Sequence, residues 1–188
     1  MNTTLNKIRS HSPRADGWTK LLKHLGKTQA DDEPLSIVTL LESNGFDDAI
    51  WCLRAVDGYD KEIRLYGIWC ARQTHPFITS EEAINAIDVA ERYAKGLASD
   101  HELALALAEA RSAVGAEERE AVLATAYSVA RVEAWKAASE AVHTSLLSAA
   151  WAAELISAQD AQEQELLRVC ACIDEGVEPY PQNEDEEL

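Results

Sequence analysis

The sequence predicts an all-α protein, a bundle of about seven to nine short helices, with stacked helical hairpins as a variant of that plan. Three observations predict it. Two stretches pair a capping hydroxyl with a glutamate three positions on, Thr79-Ser80-Glu81-Glu82 and Ser99-Asp100-His101-Glu102, and the helices they open run to Gly96 and Gly115. From Ala116 to Glu175 there is neither glycine nor proline, and 25 of the 31 alanines fall between Ala83 and Ala161. No segment alternates apolar and polar residues beside turn signals, so no sheet is expected. Alanine combines the best helix propensity with a small side chain, so helices lined with it approach closely, Trp135, Leu146 and Trp151 filling wider gaps.

Local signals define each element. The first dozen or so residues, ending at Ser12-Pro13, read as loosely attached. Asp16 is placed to cap a helix from Gly17 to Leu25, closed by Gly26, with Trp18, Leu21, Leu22 and Leu25 on one face. Thr28 to Glu33 is a polar linker. Pro34 suits the first turn of a helix that stops at Asn44-Gly45 and buries Leu35, Val38 and Leu41. The segments Ile50-Trp51-Cys52-Leu53-Arg54 and Ile68-Trp69-Cys70-Ala71-Arg72 then repeat a pattern, I-W-C-x-R, 18 residues apart. They sit on two antiparallel helices expected at about 47–56 and 60–74, joined by Asp57-Gly58-Tyr59-Asp60. The repeat suggests stacked hairpins; the simpler reading packs each Trp and Cys in the core and sends each Arg to a carboxylate. His75-Pro76 ends the second helix. The next helix, opened by Thr79, buries Ala83, Ile87, Ala90 and Ala94. The long run after Ala116 is expected to break near Ser139 to Ser148 and again near Ser157 to Asp160.

Three regions result: 1–30, a basic N-terminal segment with one short helix; 34–176, an acidic alanine-rich helical domain; and 177–188, an acidic mobile tail. The length, 188 residues, suffices for a real core, and 47% apolar with 27% charged residues is a globular composition. No apolar run approaches a membrane span, and the stretch Met1 to Arg14 lacks a hydrophobic signal region, so a soluble, cytoplasmic chain is expected. Its four cysteines lie in apolar, helical runs and read as small buried thiols.

Charge is the strongest global feature. The net value is −16. Residues 1–30 hold six basic side chains against Asp16 alone, a sum of +5, which leaves −21 on the remainder. Such a field repels nucleic acid and attracts basic proteins. Acids at helix starts also serve the helix dipole. Glu81, Glu82, Asp88, Glu91 and Glu102, with Glu117, Glu118 and Glu120, are the candidate partner-binding residues.

Catalytic constellations are missing from the sequence. Glu140-Ala-Val-His143 is one Glu-x-x-His, whereas a di-iron bundle needs two and further glutamates. Cys170-x-Cys172 sets its thiols on different faces of a helix, unlike a zinc-binding C-x-x-C. There is no G-x-S-x-G and no glycine-rich phosphate loop. No catalytic residue, metal or cofactor is therefore expected. The basic N-terminal helix, with Trp18 among its lysines, suggests either a phosphate contact or docking on the acidic body of the chain itself; docking is favoured, and no direct nucleic-acid binding is expected.

The run Ala86 to Ser99, followed by Glu102-Leu103 and an alanine-rich segment, resembles alanine-rich helical proteins of bacteria, phages and plasmids, some of them labelled toxin-immunity proteins. The segment from Asp57 to Arg72, with Arg64-Leu65 and Trp69-Cys70-Ala71-Arg72, fits the same group, so the resemblance spans roughly residues 45–165. It implies no catalytic residues. It implies a setting of conflict between bacteria and mobile elements, in which an acidic helical protein occupies the basic surface of a nuclease or a nucleic-acid-binding complex. The expected function is thus a non-enzymatic inhibitor acting by direct protein binding, of anti-CRISPR, anti-restriction or immunity type. The alternative is a helical scaffold or oligomerisation module.

Overall fold

The computed structural model describes residues 1–73, 80–113, 134–151 and 155–181. Among these residues the chain is all-α, as the sequence predicts, with nine α-helices and a single two-stranded ribbon of two residues per strand. The helices are α1 (Leu5–Ser10), α2 (Ala15–His24), α3 (Ile37–Asn44), α4 (Phe46–Cys52), α5 (Asp60–Arg72), α6 (Glu81–Ala94), α7 (Asp100–Ala113), α8 (Ala134–Trp151) and α9 (Leu155–Asp174). A 3₁₀ turn, Leu53–Ala55, follows α4. No helix among the described residues is long and apolar enough to cross a membrane.

The N-terminus departs from expectation. Strand β1 (Asn2–Thr3) pairs antiparallel with β2 (Leu35–Ser36), in the register Asn2↔Ser36 and Thr3↔Leu35. The Met1 carbonyl accepts from Ile37 N at 3.1 Å, and the Thr3 hydroxyl donates to the Ala55 carbonyl. Thr4 caps α1, and Met1, Leu5 and Ile8 are all at most 2% exposed. Residues 1–30 therefore carry two helices and belong to the main core. Docking on the chain's own body is what α2 does: Leu21 is buried, Trp18, Leu22 and Leu25 pack beside it, and Lys20 Nζ donates to the Asn44 carbonyl at 3.3 Å. Asp16 lies in the first turn of α2, after Arg14 at the cap position, and does not itself cap it.

The apolar side chains form two clusters that share α5. Ile63, Tyr66, Cys70 and Ala71 face a core built with α1 to α4, α8 and α9. Leu65 and Ile68, on the other side of α5, join Ala83, Ala86, Ile87 and Ala90 of α6 and Leu103, Ala106 and Ala110 of α7. Small residues set the closest approach. A Cβ on Gly67 would stand 2.9 Å from the Ala138 Cα, so α5 and α8 touch backbone to backbone where Gly67 meets Ala137 and Ala138.

Several boundaries move. Ser36, not Pro34, opens α3, its hydroxyl accepting from Thr39 N at 3.0 Å. The cap of α6 is Ser80, which accepts from Ala83 N at 3.3 Å; Thr79 lies outside the described residues. The second box forms as written, with Ser99 N donating to Glu102 at 2.8 Å and Glu102 N to Ser99 Oγ at 3.2 Å. Both expected breaks in the long run fall inside continuous helices, α8 and α9. The hydroxyls there do not interrupt the backbone: Ser145 Oγ donates to the Ala141 carbonyl at 2.8 Å, an i−4 bond inside the helix.

The expected tail also starts later. Glu178 pairs with Lys61 at 3.0 Å, Arg168 donates twice to the Pro179 carbonyl at 3.1 Å, and Tyr180 OH donates to Glu165 at 2.7 Å. Residues 177–181 thus form a strap held across α5 and α9; 182–188 lie outside the described residues. Tyr180 packs against both apolar clusters.

Candidate functional site

The candidate acids in the described residues sit on one hairpin, α6–α7, and most have local partners. Arg72 of α5 lies between Asp88, at 2.9 Å, and Glu91. Glu91 also meets Lys95 at 2.7 Å. Its burial would raise the carboxyl pKa, but the bond from Lys95 and the charge of Arg72 outweigh that and hold it below the ordinary value. Glu102 receives Ser99 N–H and hydroxyl bonds, which lower its pKa, and faces Arg92 at 3.3 Å. Glu82 is lowered by its own backbone N–H and by the Ser80 hydroxyl at 2.8 Å. Glu81 is exposed in the first turn of α6, where the helix dipole favours it. The hairpin is therefore an acidic surface laced with its own cations. Glu117, Glu118 and Glu120 lie outside the described residues.

The two I-W-C-x-R copies share a pattern and differ in environment. Arg54 stacks between the rings of Trp51, 4.1 Å away, and Trp135, 4.0 Å away, and its Nε donates to the Trp51 carbonyl at 2.9 Å. Arg72 instead reaches the carboxylates of α6. Cys52 and Cys70 are both buried, and burial pushes the Cys52 thiol up to about 12 and Cys70 higher still. Burial likewise raises Cys170, to about 11. Neutral thiols of this kind are packing groups and poor nucleophiles at neutral pH.

A cleft of about 260 Å³ opens where α2 crosses the α3–α4 corner and α8. Gly17 permits the crossing, since a Cβ there would fall 2.7 Å from Asp48 Oδ2. Asn44 ties the corner together, its Nδ2 donating to the Gly17 carbonyl at 2.9 Å and to Asp48 Oδ2 at 2.7 Å. Leu21, Leu40, Ile50 and Val142 supply buried apolar floor, and Trp18 and Trp51 supply half-buried walls. Asp47 and Asp48 bring carboxylates, while Arg14, Ser139 and His143 complete the polar rim. Of the Glu-x-x-His half-motif of α8, His143 is exposed on this rim. No group of three His, Cys, Asp or Glu among the described residues is placed to hold a metal ion.

Sequence reasoning missed this cleft because its residues come from three separated segments. The available signal was Asn44-Gly45 followed by Asp47-Asp48, a helix stop and restart with two acids at the new start. No protein-family model matches the chain, and neither a curated protein nor a solved structure matches it significantly.

Proposed function

We propose that this chain is a non-enzymatic binding protein that inhibits a basic, nucleic-acid-handling partner by docking acidic helical surface on it. The observation that carries this reading is the charge, −21 over residues 31–188 against +5 over the first 30. Internal pairing consumes part of the basic segment: Lys7 meets Asp57 at 2.7 Å, and Lys27 meets Asp31 and Glu33 at 2.6 Å. The remaining field is long-ranged and favours fast capture of a cationic surface at low salt. Exposed acids outside the α6–α7 hairpin extend it, among them Glu42 on α3, Asp47 at the cleft and Asp160 on α9. An anti-defence role or toxin immunity is the setting in which such an inhibitor would act.

The test is affinity capture from a bacterial lysate at low ionic strength, with mass spectrometry, followed by reconstitution with the purified candidate. Recovery of a basic nuclease or nucleic-acid-binding protein, released by salt and inhibited stoichiometrically, supports the reading. Failure to retain any basic protein at low salt defeats it.

A further inference from the structure

We infer that the cleft between α2, α4 and α8 receives an arginine side chain of the basic partner. The inference rests on the proposed function for the partner's charge and adds where one of its residues binds. Size is the first argument. At about 260 Å³ the cleft falls below the range of roughly 300–1,000 Å³ that takes drug-sized ligands or cofactors. It suits one long side chain.

Chemistry is the second argument. A guanidinium wants a flat π surface along its plane and carboxylate oxygens at its edge. Trp18 and Trp51 line the cleft, the Trp51 ring already carrying Arg54 at 4.1 Å, and Asp47 and Asp48 supply acceptors. Asp47 is exposed and makes no ion pair among the described residues. Asp48 is held in place by the 2.7 Å bond from Asn44 to one oxygen, which leaves its other oxygen for a guest. The protein already shows this mode of recognition next door, where Arg54 is stacked between Trp51 and Trp135 at 4.1 and 4.0 Å. Arg14 stands on the rim and opposes a cationic guest, which gives the inference a second, opposite-signed consequence.

The experiment titrates the ¹⁵N-labelled full chain with the capped tripeptide Gly-Arg-Gly and follows the indole N–H signals of Trp18 and Trp51. The neutral isostere, with citrulline in place of arginine, is the comparison. The arginine peptide should shift both indoles saturably, and citrulline should bind about tenfold more weakly or not at all. Asp48→Asn, which is isosteric and keeps an acceptor for Asn44, should weaken the arginine peptide about tenfold. Arg14→Gln should tighten it a few-fold, since it removes a like charge. Gln159→Ala, on the exposed face of α9, should change nothing. Equal binding of citrulline, shifts elsewhere with none at Trp18 and Trp51, or indifference to Asp48→Asn overturns the inference. If Asp48→Asn still captures and inhibits the partner as the wild type does, the cleft assignment falls and the proposed function stands. If the wild-type chain retains no basic protein, the proposed function falls whatever the peptide does.

Discussion

Gly67→Ala tests the packing of the two most closely apposed helices. The added methyl would lie 2.9 Å from Ala138 Cα and 3.2 Å from Ala138 N. Carbon atoms prefer about 3.5–4.0 Å, so α5 and α8 must part by roughly 0.6–1 Å. Neither contact is with a flexible side-chain end; both are backbone. The surroundings have little slack, because Tyr66, Cys70, Ala71, Ala138 and Ala141 are at most 1% exposed. Overpacking of this kind costs about 1–3 kcal/mol. Alanine returns about 1 kcal/mol of helix propensity over glycine. The two together leave a net loss centred on about 1 kcal/mol, or roughly 2–4 °C in Tm for a chain of this size. Urea unfolding followed by far-UV circular dichroism should show a lower midpoint with an unchanged slope. Gly17→Ala is the contrast, since its methyl would meet a side-chain oxygen of Asp48 and not backbone, so the strain is relieved by giving up the Asn44–Asp48 bond. A Gly67→Ala chain as stable as the wild type, or more so, would refute the close-crossing argument.

Three other outcomes are expected. Under native conditions at neutral pH a thiol reagent should modify Cys172, the half-buried cysteine, first, while Cys52, Cys70 and Cys170 react only on unfolding; rapid native labelling of Cys52 would contradict its burial. Tyr180→Ala should destabilise by about 2–3 kcal/mol through lost packing, and Tyr180→Phe by about 1 kcal/mol through the lost bond to Glu165, read by thermal melts; equal melts for Phe and Ala would show that the ring does not anchor the strap. Glu91 has a folded pKa below its ordinary 4.5, so it binds fewer protons folded than unfolded. Its stabilisation is complete above pH 4.5 and lost as pH falls through the folded value, so the Tm gap between wild type and Glu91→Gln should close below pH 4.5 and stay open at neutral pH.

Legibility in the sequence followed the range of the interaction. Ser99 and Glu102 bond within one turn, so their box could be read from four consecutive residues. The pairing of Asn2 and Thr3 with Ser36 and Leu35 spans more than thirty residues and leaves no periodic trace in two-residue strands. Leu5 and Ile8 form too short an apolar run to announce a helix, yet they anchor the N-terminus in the core. Ser139 to Ser148 looked like a break because hydroxyl and β-branched residues are poor helix formers. Inside α8 the Ser145 hydroxyl is satisfied both locally, by the Ala141 carbonyl, and by a neighbour, with Gln162 Nε2 donating to its Oγ at 2.5 Å. The candidate acids were visible as acids. Arg72 was legible as an arginine seeking a carboxylate, but that its partners are Asp88 and Glu91 of α6 is fixed only by folding.

The repeated I-W-C-x-R pattern bears on which function to pursue. As a stacking surface for an oligomer it would need to present like groups outward from both copies. The folded chain places both cysteines in the interior, and Ile50 and Ile68 are at most 4% exposed. Ile68 faces the α6–α7 cluster while Ile50 faces the main core, so the two isoleucines do not share neighbours. The first arginine is held between two indoles and the second by two carboxylates. Equivalent residues in unlike environments are what separate core positions produce, and a solenoid repeat would give each the same neighbours. The scaffold alternative thereby loses the feature that motivated it, whereas the charge behind the binding-protein reading is a property of the whole sequence and survives the folding of these residues inward.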